Sequence, residues 1–248
     1  MSYSYFADYY DGLTEDVDYP AKAEYFLKLC ERYNHFPGKT LDLACGTGSF
    51  TIELKKRGID VMGADMSTDM LTQAQMKSSE QELDIMYFCC KMQELELPFE
   101  IDTCVCTLDS INHITSKSEL KKAFIHISSC LADDGLFIFD ANTVCKHREI
   151  LGDNCYIFDT DEVFCAWQNN YNEKNNKVII TLDFFEPDGE KYVRCSEQFA
   201  ERAYTHSEME EMLDSAGMEI AGLFDDMSFE SPDKASQREI YVVRKKRK

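Results

Sequence analysis

Short apolar runs alternate with longer amphipathic stretches from residue 40 to residue 142. The short runs have the length of strands, whereas the longer stretches repeat their apolar positions with helical spacing. This alternation is typical of β-α-β units on a parallel sheet. It predicts strands at residues 40–44, 60–65, 85–89, 102–108 and 136–140.

Residues that start helices stand before the predicted helical stretches. Ser67 can cap a helix that continues to about residue 77. Ser116 with Glu119, and Thr205 with Glu208, have the spacing of a capping box before helices that reach about residues 131 and 216. Glycines that are expected to end helices stand at positions 58, 135 and 217.

The pattern changes after residue 142. Between residues 162 and 202, three β-rich stretches are separated by Asn-Glu-Lys-Asn-Asn and Pro-Asp-Gly, which are hairpin turn signals. A helix and two closing strands, at residues 218–224 and 238–244, then resume the first pattern. We therefore predict an α/β fold, a doubly wound, Rossmann-like sheet with a small antiparallel β insertion. The predicted core comprises residues 1–148 and 204–248, and the predicted insertion residues 149–203.

The chain is strongly acidic, with 26 basic and 46 acidic residues and a formal net charge of −20. Residues 244–248 are all basic, so residues 1–243 carry −25, and we expect this basic tail to be a solvated end. Such acidity repels phosphate backbones and predicts no nucleic-acid partner. Neither a signal peptide nor an apolar run long enough to cross a bilayer is present, which predicts a soluble, cytoplasmic protein without a membrane partner.

Eleven cysteines are present, and many of them lie within apolar, strand-like runs. Because the number is odd and the chain is long, we expect reduced thiols that pack in the core rather than a disulfide framework. The cysteines form no C-x-x-C pair and do not cluster with histidines. The sequence therefore predicts no metal site.

The most informative stretch, residues 41–50, reads LDLACGTGSF. A buried strand runs into Gly46 and Gly48 and then into a helix, so the backbone can turn sharply and a ligand can approach the amides of the loop. Asp42 precedes Gly46 by four residues. Asp65 ends the second strand, where a carboxylate can accept both hydroxyls of a ribose. These features predict a nucleoside cofactor.

Two kinds of nucleoside cofactor compete for this loop. A nicotinamide dinucleotide fingerprint has a third glycine at position 51, and this chain has Thr51 there. The order Asp-x-x-x-Gly-x-Gly suits a cofactor that carries an amino group and no pyrophosphate. An oxidoreductase with a nucleoside cofactor is the less favoured alternative.

Three ordered segments, LDLACGTG, GADMS and LDSINHI, resemble the class I S-adenosylmethionine-dependent methyltransferases of the small-molecule type with a β-rich insertion. The resemblance implies that S-adenosyl-L-methionine lies across the carboxyl ends of the first, second and fourth strands and leaves as S-adenosyl-L-homocysteine. It implies that Gly46 and Gly48 lie under the methionine part, that Asp42 is near the amino group and that Asp65 binds the ribose. The implied cofactor contacts are Tyr10, Asp42, Ala44, Gly46, Gly48, Asp65, Met66, Met70, Lys91, Met92, Leu108 and Asp109.

The adenine side departs from the family at one position. The resemblance implies that Met66 and Met70 pack on the adenine, which suits their flexible, polarizable side chains. Such sequences usually have an acidic residue before a methionine after the third strand, and this chain has Lys91 before Met92. Because lysine has no hydrogen-bond acceptor, the backbone of these two residues or Gln93 would bind the adenine amino group.

Methyl transfer from a sulfonium requires that the acceptor atom lie in line behind the methyl group and that water be excluded. A general base is needed only when the acceptor begins protonated. Asn112 and His113 follow the fourth strand and are the candidate catalytic residues. Alternatively, Asn112 caps the turn and His113 packs under the lid. Tyr10 could face the sulfonium with its ring or pack on the sheet.

In the family that this sequence resembles, inserted sheets lie over the acceptor as a lid. Trp167, Arg202 and Tyr204 are therefore the predicted substrate contacts, although the aromatic residues of the insertion must also pack the small sheet itself. We predict a methyltransferase that acts on a small-molecule acceptor by in-line transfer. A noncatalytic S-adenosylmethionine-binding protein is the alternative, and the oligomeric state, monomer or dimer, stays open.

Overall fold

Eleven strands and six α-helices are found in the described residues, 4–14, 16–160 and 162–246, of a computed structural model. The strands are β1 (Lys39–Leu43), β2 (Asp60–Asp65), β3 (Tyr87–Cys89), β4 (Ile101–Cys106), β5 (Leu131–Asn142), β6 (Cys155–Asp159), β7 (Phe164–Asn172), β8 (Lys177–Asp188), β9 (Lys191–Arg202), β10 (Met218–Asp225) and β11 (Arg238–Lys245). The helices are α1 (Ser4–Leu13), α2 (Tyr19–Arg32), α3 (Ser49–Lys56), α4 (Thr68–Glu80), α5 (Lys117–Cys130) and α6 (His206–Ser215). Short helical turns cover Met92–Glu94, Ser110–His113 and Lys146–Leu151.

Seven strands form one sheet in the order β10-β11-β5-β4-β1-β2-β3. β1 to β5 run parallel, β11 is antiparallel to β5, and β10 is antiparallel to β11. The chain moves outward from β1 to β3 and then returns to β4 on the other side of β1. Ligands bind at the carboxyl ends of the strands at such a reversal. The predicted doubly wound, Rossmann-like α/β sheet is confirmed.

Strand alternation sends the β1 side chains to opposite faces of this sheet. Leu41 and Leu43 belong to the core cluster that also contains Phe124 of α5. Asp42 lies between them in sequence and turns to the other face, where Thr51 of α3 donates a hydrogen bond to it. The alternation of β1 thus delivers a single carboxyl to the side where the glycine loop begins.

The strands β6 to β9 form a separate antiparallel sheet, here called the small sheet. It lies inside the predicted insertion but has one more strand than the sequence predicted. The missed strand is β6, which pairs with β7 and has no fully buried residue. Because an edge strand without buried residues has a weak hydrophobic pattern, periodicity did not reveal it.

The helix starts agree with the predictions in two cases and differ in one. Ser67 Oγ accepts from the Met70 amide at 3.3 Å. The capping box of Thr205 and Glu208 forms, with hydrogen bonds of 3.3 and 2.9 Å. The predicted box at Ser116 is wrong, because its hydroxyl instead pairs with the Ser118 hydroxyl at 2.9 Å and makes no capping bond.

Gly135 is also placed differently from the prediction. It lies within β5 and not after a helix, because α5 ends at Cys130 and the chain enters β5 at the next residue. A Cβ on Gly135 would lie 3.0 Å from the carbonyl oxygens of Ala132 and Asp102. Close backbone approach, rather than a left-handed helix end, therefore requires this glycine.

The cysteines agree with the sequence prediction, and the basic tail agrees with it only in part. All eleven cysteines are free thiols, as predicted. Arg244 and Lys245 belong to β11 and pair with Glu219 at 2.8 Å and Asp133 at 3.9 Å, so the expected solvated tail is in part a paired strand end. Residues 247 and 248 lie outside the described residues.

No helix in the described ranges is long and apolar enough to cross a membrane.

Candidate active site

A cavity of about 330 Å³ lies at the carboxyl ends of β1, β2 and β4. Its lining consists of Tyr10, Ala44, Gly46, Asp65, Met66, Met70, Cys90, Lys91, Met92, Gln93, Leu108, Ser110, His113 and Ile114. A smaller cavity of about 30 Å³ shares part of this lining and reaches Asp42. Most of the predicted cofactor contacts are therefore brought together in one place.

The two loop glycines are required for different reasons. Gly46 has a φ of +54°, and a Cβ on it would meet no atom within 4 Å. Gly48 has a φ of +76° and lies beside the cavities, at the start of α3. A Cβ there would come within 2.8 Å of the Tyr87 hydroxyl and 2.9 Å of Ala74 Cβ. Gly46 thus leaves the loop backbone open to a ligand, whereas Gly48 allows the loop to pack closely against Tyr87 and Ala74.

Asp65 connects the loop after β1 to the turn after β2. Its Oδ2 accepts from the Gly46 amide at 2.9 Å, and its Oδ1 accepts from the Ser67 amide at 2.8 Å. Burial raises the pKa of Asp65, and the hydrogen bonds from these two amides oppose that shift. Each carboxylate oxygen has two lone pairs, so Asp65 can still accept hydrogen bonds from a ligand in the cavity.

Asp42 is buried directly beneath the loop. Burial raises its pKa to about 7, although the hydrogen bond from Thr51 Oγ1, at 2.5 Å, opposes the shift, and the nearby Asp65 adds to it. A cation placed nearby would favour the ionised form. Position 51, where a dinucleotide fingerprint has glycine, here has a hydroxyl that binds this carboxyl.

The adenine side of the predicted site is apolar and contains Met66, Met70 and Met92 in the cavity lining. Lys91 also lines it, but its Nζ pairs with Glu94 at 3.3 Å on the protein surface. The lysine head group is therefore directed to solvent. Gln93 lies in the lining next to it and can supply both a donor and an acceptor.

Helix α1 is tied to the glycine loop by a hydrogen-bonded cluster. Asp11 accepts from Thr47 Oγ1 at 2.7 Å and pairs with Lys77 Nζ at 2.6 Å. Lys77 also donates to Thr47 at 3.0 Å and to Ser49 at 2.7 Å. The neighbouring Tyr10 lines the cavity, and burial raises its pKa well above the ordinary value.

The turn after β4 has a left-handed backbone at Leu108 and Asp109, with φ values of 56° and 51°. The backbone amides of these two residues donate hydrogen bonds to the Asp140 carboxylate, at 2.9 and 2.6 Å. Arg238 joins the two carboxylates, at 2.7 Å from Asp109 and 2.6 Å from Asp140. Burial opposes ionisation of Asp109, but Arg238 outweighs it and holds the pKa of this carboxyl well below its usual range. Asp109 thus lies beside the cavity lining and stabilises the turn, with an arginine that the sequence analysis missed.

Asn112 is fully buried and does not lie in the cavity lining. Its Nδ2 donates to the carbonyls of Asn142 and Arg202 at 3.1 and 2.9 Å, and its Oδ1 accepts from the Asn142 amide at 2.9 Å. Both side-chain donors are therefore used on the backbone. Asn112 joins the turn after β4 to β5 and β9, and this geometry does not present it to an acceptor.

His113 lines the cavity, with 32% of its side chain exposed. Its ring stacks on Phe199 of β9 with 5.3 Å between the ring centres. Its Nε2 lies 3.7 Å from Oε1 of Glu201, which the sequence analysis missed. Phe199, Glu201 and Ala203 are all buried, so strand alternation carries a signal that Glu201 faces inward.

The described residues that line the cavity do not include the three predicted substrate contacts. Trp167 Nε1 donates to Asn169 Oδ1 at 2.6 Å, and its ring packs in the small sheet. Arg202 pairs with Glu208 at 3.3 Å and lies over the ring of Tyr204 at 4.8 Å. The Tyr204 hydroxyl donates to the backbone carbonyl of a lining residue, Ile114. Trp167 therefore packs in the small sheet, whereas Tyr204 supports the cavity lining through Ile114.

Comparison with known proteins identifies the family. Residues 40–135 match the family described as a methyltransferase domain. A protein of Geobacillus sp. (strain WCH70) that is named as a methyltransferase is 31% identical over 247 residues, covering 99% of this chain and 100% of its own. The solved structure of an S-adenosylmethionine-dependent methyltransferase from Clostridium acetobutylicum ATCC 824 is 34% identical, covers 99% of both chains and has a TM-score of 0.88.

A more distant relative matches only part of the chain. The glycine/sarcosine N-methyltransferase of Parasynechococcus marenigrum (strain WH8102) is 28% identical over 142 residues, which is 55% of this chain and 50% of the relative. The full-length matches and the sheet order agree with each other and with the position of the cavity. The chain therefore belongs to the class I S-adenosylmethionine-dependent methyltransferases.

Proposed function

We propose that this methyltransferase transfers the methyl group to a small-molecule acceptor inside the 330 Å³ cavity. The observation that carries the proposal is that a single cavity has Gly46 and Asp65 at one end and a titratable side chain, His113, elsewhere in its lining. A cavity of this volume is in the range of small-molecule sites. The partial relative named as a glycine/sarcosine N-methyltransferase also supports a small acceptor.

The residues at one end fit S-adenosylmethionine. We call Asp42, Gly46 and Asp65 the donor end. Gly46 presents backbone without a side chain, Asp65 has lone pairs for ribose hydroxyls, and the buried Asp42 favours a cation nearby. Met66, Met70 and Met92 supply an apolar surface for the adenine. Tyr10 of α1 lines the same cavity, and its ring would contact the sulfonium.

The donor, when bound, supplies an activated methyl group that a nucleophile takes by in-line displacement. His113 faces the cavity and is the candidate base for an acceptor that begins protonated. Leu108 and Ile114 add apolar surface to the lining, which would reduce the water around the reacting atoms. The cavity thus combines a candidate base, His113, with an apolar surface formed by Leu108 and Ile114.

The test combines donor binding with transfer. Calorimetry with S-adenosylmethionine and S-adenosylhomocysteine should give one site per chain. Labelled donor incubated with separate pools of small amines, hydroxy acids and phenols should then label one pool, and heat-denatured protein should label none. Tight binding without transfer to any pool, or transfer only to macromolecules of a cell extract, would contradict the proposal.

A further inference from the structure

Two buried ionisable side chains lie directly behind His113. Glu201 of β9 has 6% of its side chain exposed, and His147 has none. One carboxylate oxygen of Glu201 is 3.7 Å from His113 Nε2, and the other is 3.3 Å from His147 Nε2. The carboxylate therefore lies between two imidazoles, and we call these three residues the His-Glu-His cluster.

The cluster has unused hydrogen-bonding capacity in a buried place. Among the residues that the structure describes, no partner of suitable geometry is found for either ring nitrogen of His147 or for Oε2 of Glu201. Their 3.3 Å approach is close, but it is not aligned as a hydrogen bond. Buried polar groups are nearly always paired, and the exceptions include catalytic sites. Packing alone gives no reason to keep these two groups here.

The other charged groups around His113 are mostly compensated. Asp109 is paired with Arg238 at 2.7 Å, and Arg238 also pairs with Asp140. Lys146, beside His147 in sequence, interacts electrostatically with Asp109 and Glu201, and burial together with Arg238 lowers its pKa. Of the three carboxylates Asp109, Asp140 and Glu201, it is Glu201 that lies between His113 and His147.

Asp65 faces His113 from across the cavity. Its two oxygens accept backbone amide hydrogens of the glycine loop and of the turn after β2. Asp65 therefore belongs to the donor end. This leaves Glu201 as the buried carboxylate closest to the His113 ring on the side of the small sheet.

We propose that Glu201 is a positioning residue for His113, with His147 Nε2 lying 3.3 Å from the second oxygen of Glu201. This inference rests on the proposed function. The Nε2–H tautomer of His113, directed to Glu201, leaves Nδ1 as the basic nitrogen. Nδ1 takes the proton of the acceptor atom, whose electron pair bonds to the methyl carbon as the carbon–sulfur bond breaks and its electron pair stays on sulfur. Glu201 stabilises the imidazolium, which later releases the proton to water.

A divalent cation is the competing interpretation of these side chains. Ligand atoms of Asp109, His113 and Glu201 lie within 4.8 Å of one another. However, Arg238 is already bound to Asp109 at 2.7 Å, and Lys146 adds a second nearby cation. These positive charges oppose a further divalent cation, so the observations favour proton handling.

The direct test is histidine-ring NMR on the full chain with labelled histidine, with signals assigned through H113Q and H147Q. In E201Q the pH dependence of the His113 ring signals should move to lower pH than in the wild type, because the imidazolium loses its carboxylate. E201D keeps the charge and should stay closer to the wild type. E190Q, at an exposed turn of the small sheet, is the matched control and should leave the titration unchanged.

Two further measurements separate folding and function from the proposal. Calorimetry with S-adenosylhomocysteine should give affinities within about threefold of the wild type for E201Q and E201D, which reports an intact fold and donor end. With an identified acceptor, E201Q should lower kcat by about 10-fold or more, with the acidic limb of the pH–rate profile moved to lower pH.

The outcomes that overturn the proposal are equally specific. An E201Q protein that binds S-adenosylhomocysteine but leaves the His113 titration unchanged would contradict it. Stoichiometric Mg²⁺ or Mn²⁺ binding that E201Q abolishes would replace it with the cation site. If no acceptor is found, the NMR titration still decides the role of Glu201, whereas the proposed function fails separately.

Discussion

The donor end and the His-Glu-His cluster belong to one site but are built in opposite ways. The donor end comes from residues 42–65, and its carboxylates are held by nearby partners, Asp65 by two backbone amides and Asp42 by Thr51. The cluster combines residues 113, 147 and 201, which three separate segments supply. Its carboxylate and one imidazole are buried with unpaired atoms.

This difference suits the donor end to binding a ligand and the His-Glu-His cluster to transferring a proton. A carboxylate held by fixed amides and a hydroxyl forms a preorganised binding surface. A carboxylate between two imidazoles instead responds to a change of charge on either ring. Glu201 comes from β9 of the small sheet, whereas Asp42 and Asp65 come from β1 and β2 of the seven-stranded sheet.

The largest expected effect isolates the donor end. In G46V, a side chain would enter the space that the structure leaves open at Gly46, so measurable binding of S-adenosylhomocysteine should be lost. The left-handed φ of +54° should also cost about 1–2 kcal/mol of unfolding free energy. Calorimetry and urea denaturation measure the two effects separately, and His113 should titrate as in the wild type.

G58V is the matched control for that substitution. Gly58 has a φ of +81°, and a Cβ on it would also meet no atom within 4 Å, but it follows α3 outside the cavity lining. G58V should therefore lose a similar amount of stability and keep donor binding. Equal loss of binding in both variants would show that strain, rather than obstruction of the site, explains the result at position 46.

The next effect tests the burial of Asp42 through pH. Its pKa is raised from 3.8 to about 7, so the folded state retains a proton that the unfolded state loses, and the free energy of unfolding falls as pH rises through this window. Between pH 5 and pH 8 the loss should be about 3 kcal/mol. Urea denaturation should show a smaller loss for D42N, which cannot ionise. Identical pH slopes for the two proteins would refute the assignment.

Asp65 provides the direct contrast with Glu201. D65A should weaken donor binding by about 1.5–3 kcal/mol, the range for hydrogen bonds to a charged group. Calorimetry should show this loss while NMR shows only a small change at His113, the reverse of the pattern expected for E201Q. D60A, at the exposed opposite end of the same strand, is the control. Wild-type affinity in D65A would mean that the ribose lies elsewhere.

The donor end could be predicted from sequence because its information is local. The strand pattern placed residues 42 and 65 at strand ends, and parallel strands bring such ends to one edge. The spacing of Gly46 and Gly48 predicted the loop, and the cavity includes most of the expected contacts. What the sequence could not show was the separate use of the two glycines, since the approach of Tyr87 and Ala74 to Gly48 distinguishes them.

The acceptor side was harder to predict because it depends on long-range contacts. Glu201 stands in an inward-facing pattern between Phe199 and Ala203, but no periodicity says that it meets His113. Asn112 was predicted to act on an acceptor because of its position, whereas its amide binds the backbone of Asn142 and of β9. Hydrogen-bond partners about 30 and 90 residues away leave no local signal in the sequence.

The smallest expected effect concerns the attachment of α1 to the donor end. K77M removes the charged link from Asp11 to Thr47 and Ser49, and because exposed pairs contribute at most about 1 kcal/mol, donor affinity should weaken by no more than about fivefold. The difference between K77M and the wild type should shrink at high salt, since ions screen such pairs. K28M breaks the exposed pair with Glu24 on α2 and should leave affinity unchanged. If K77M matches K28M in calorimetry at low salt, α1 contributes nothing to donor binding through this link.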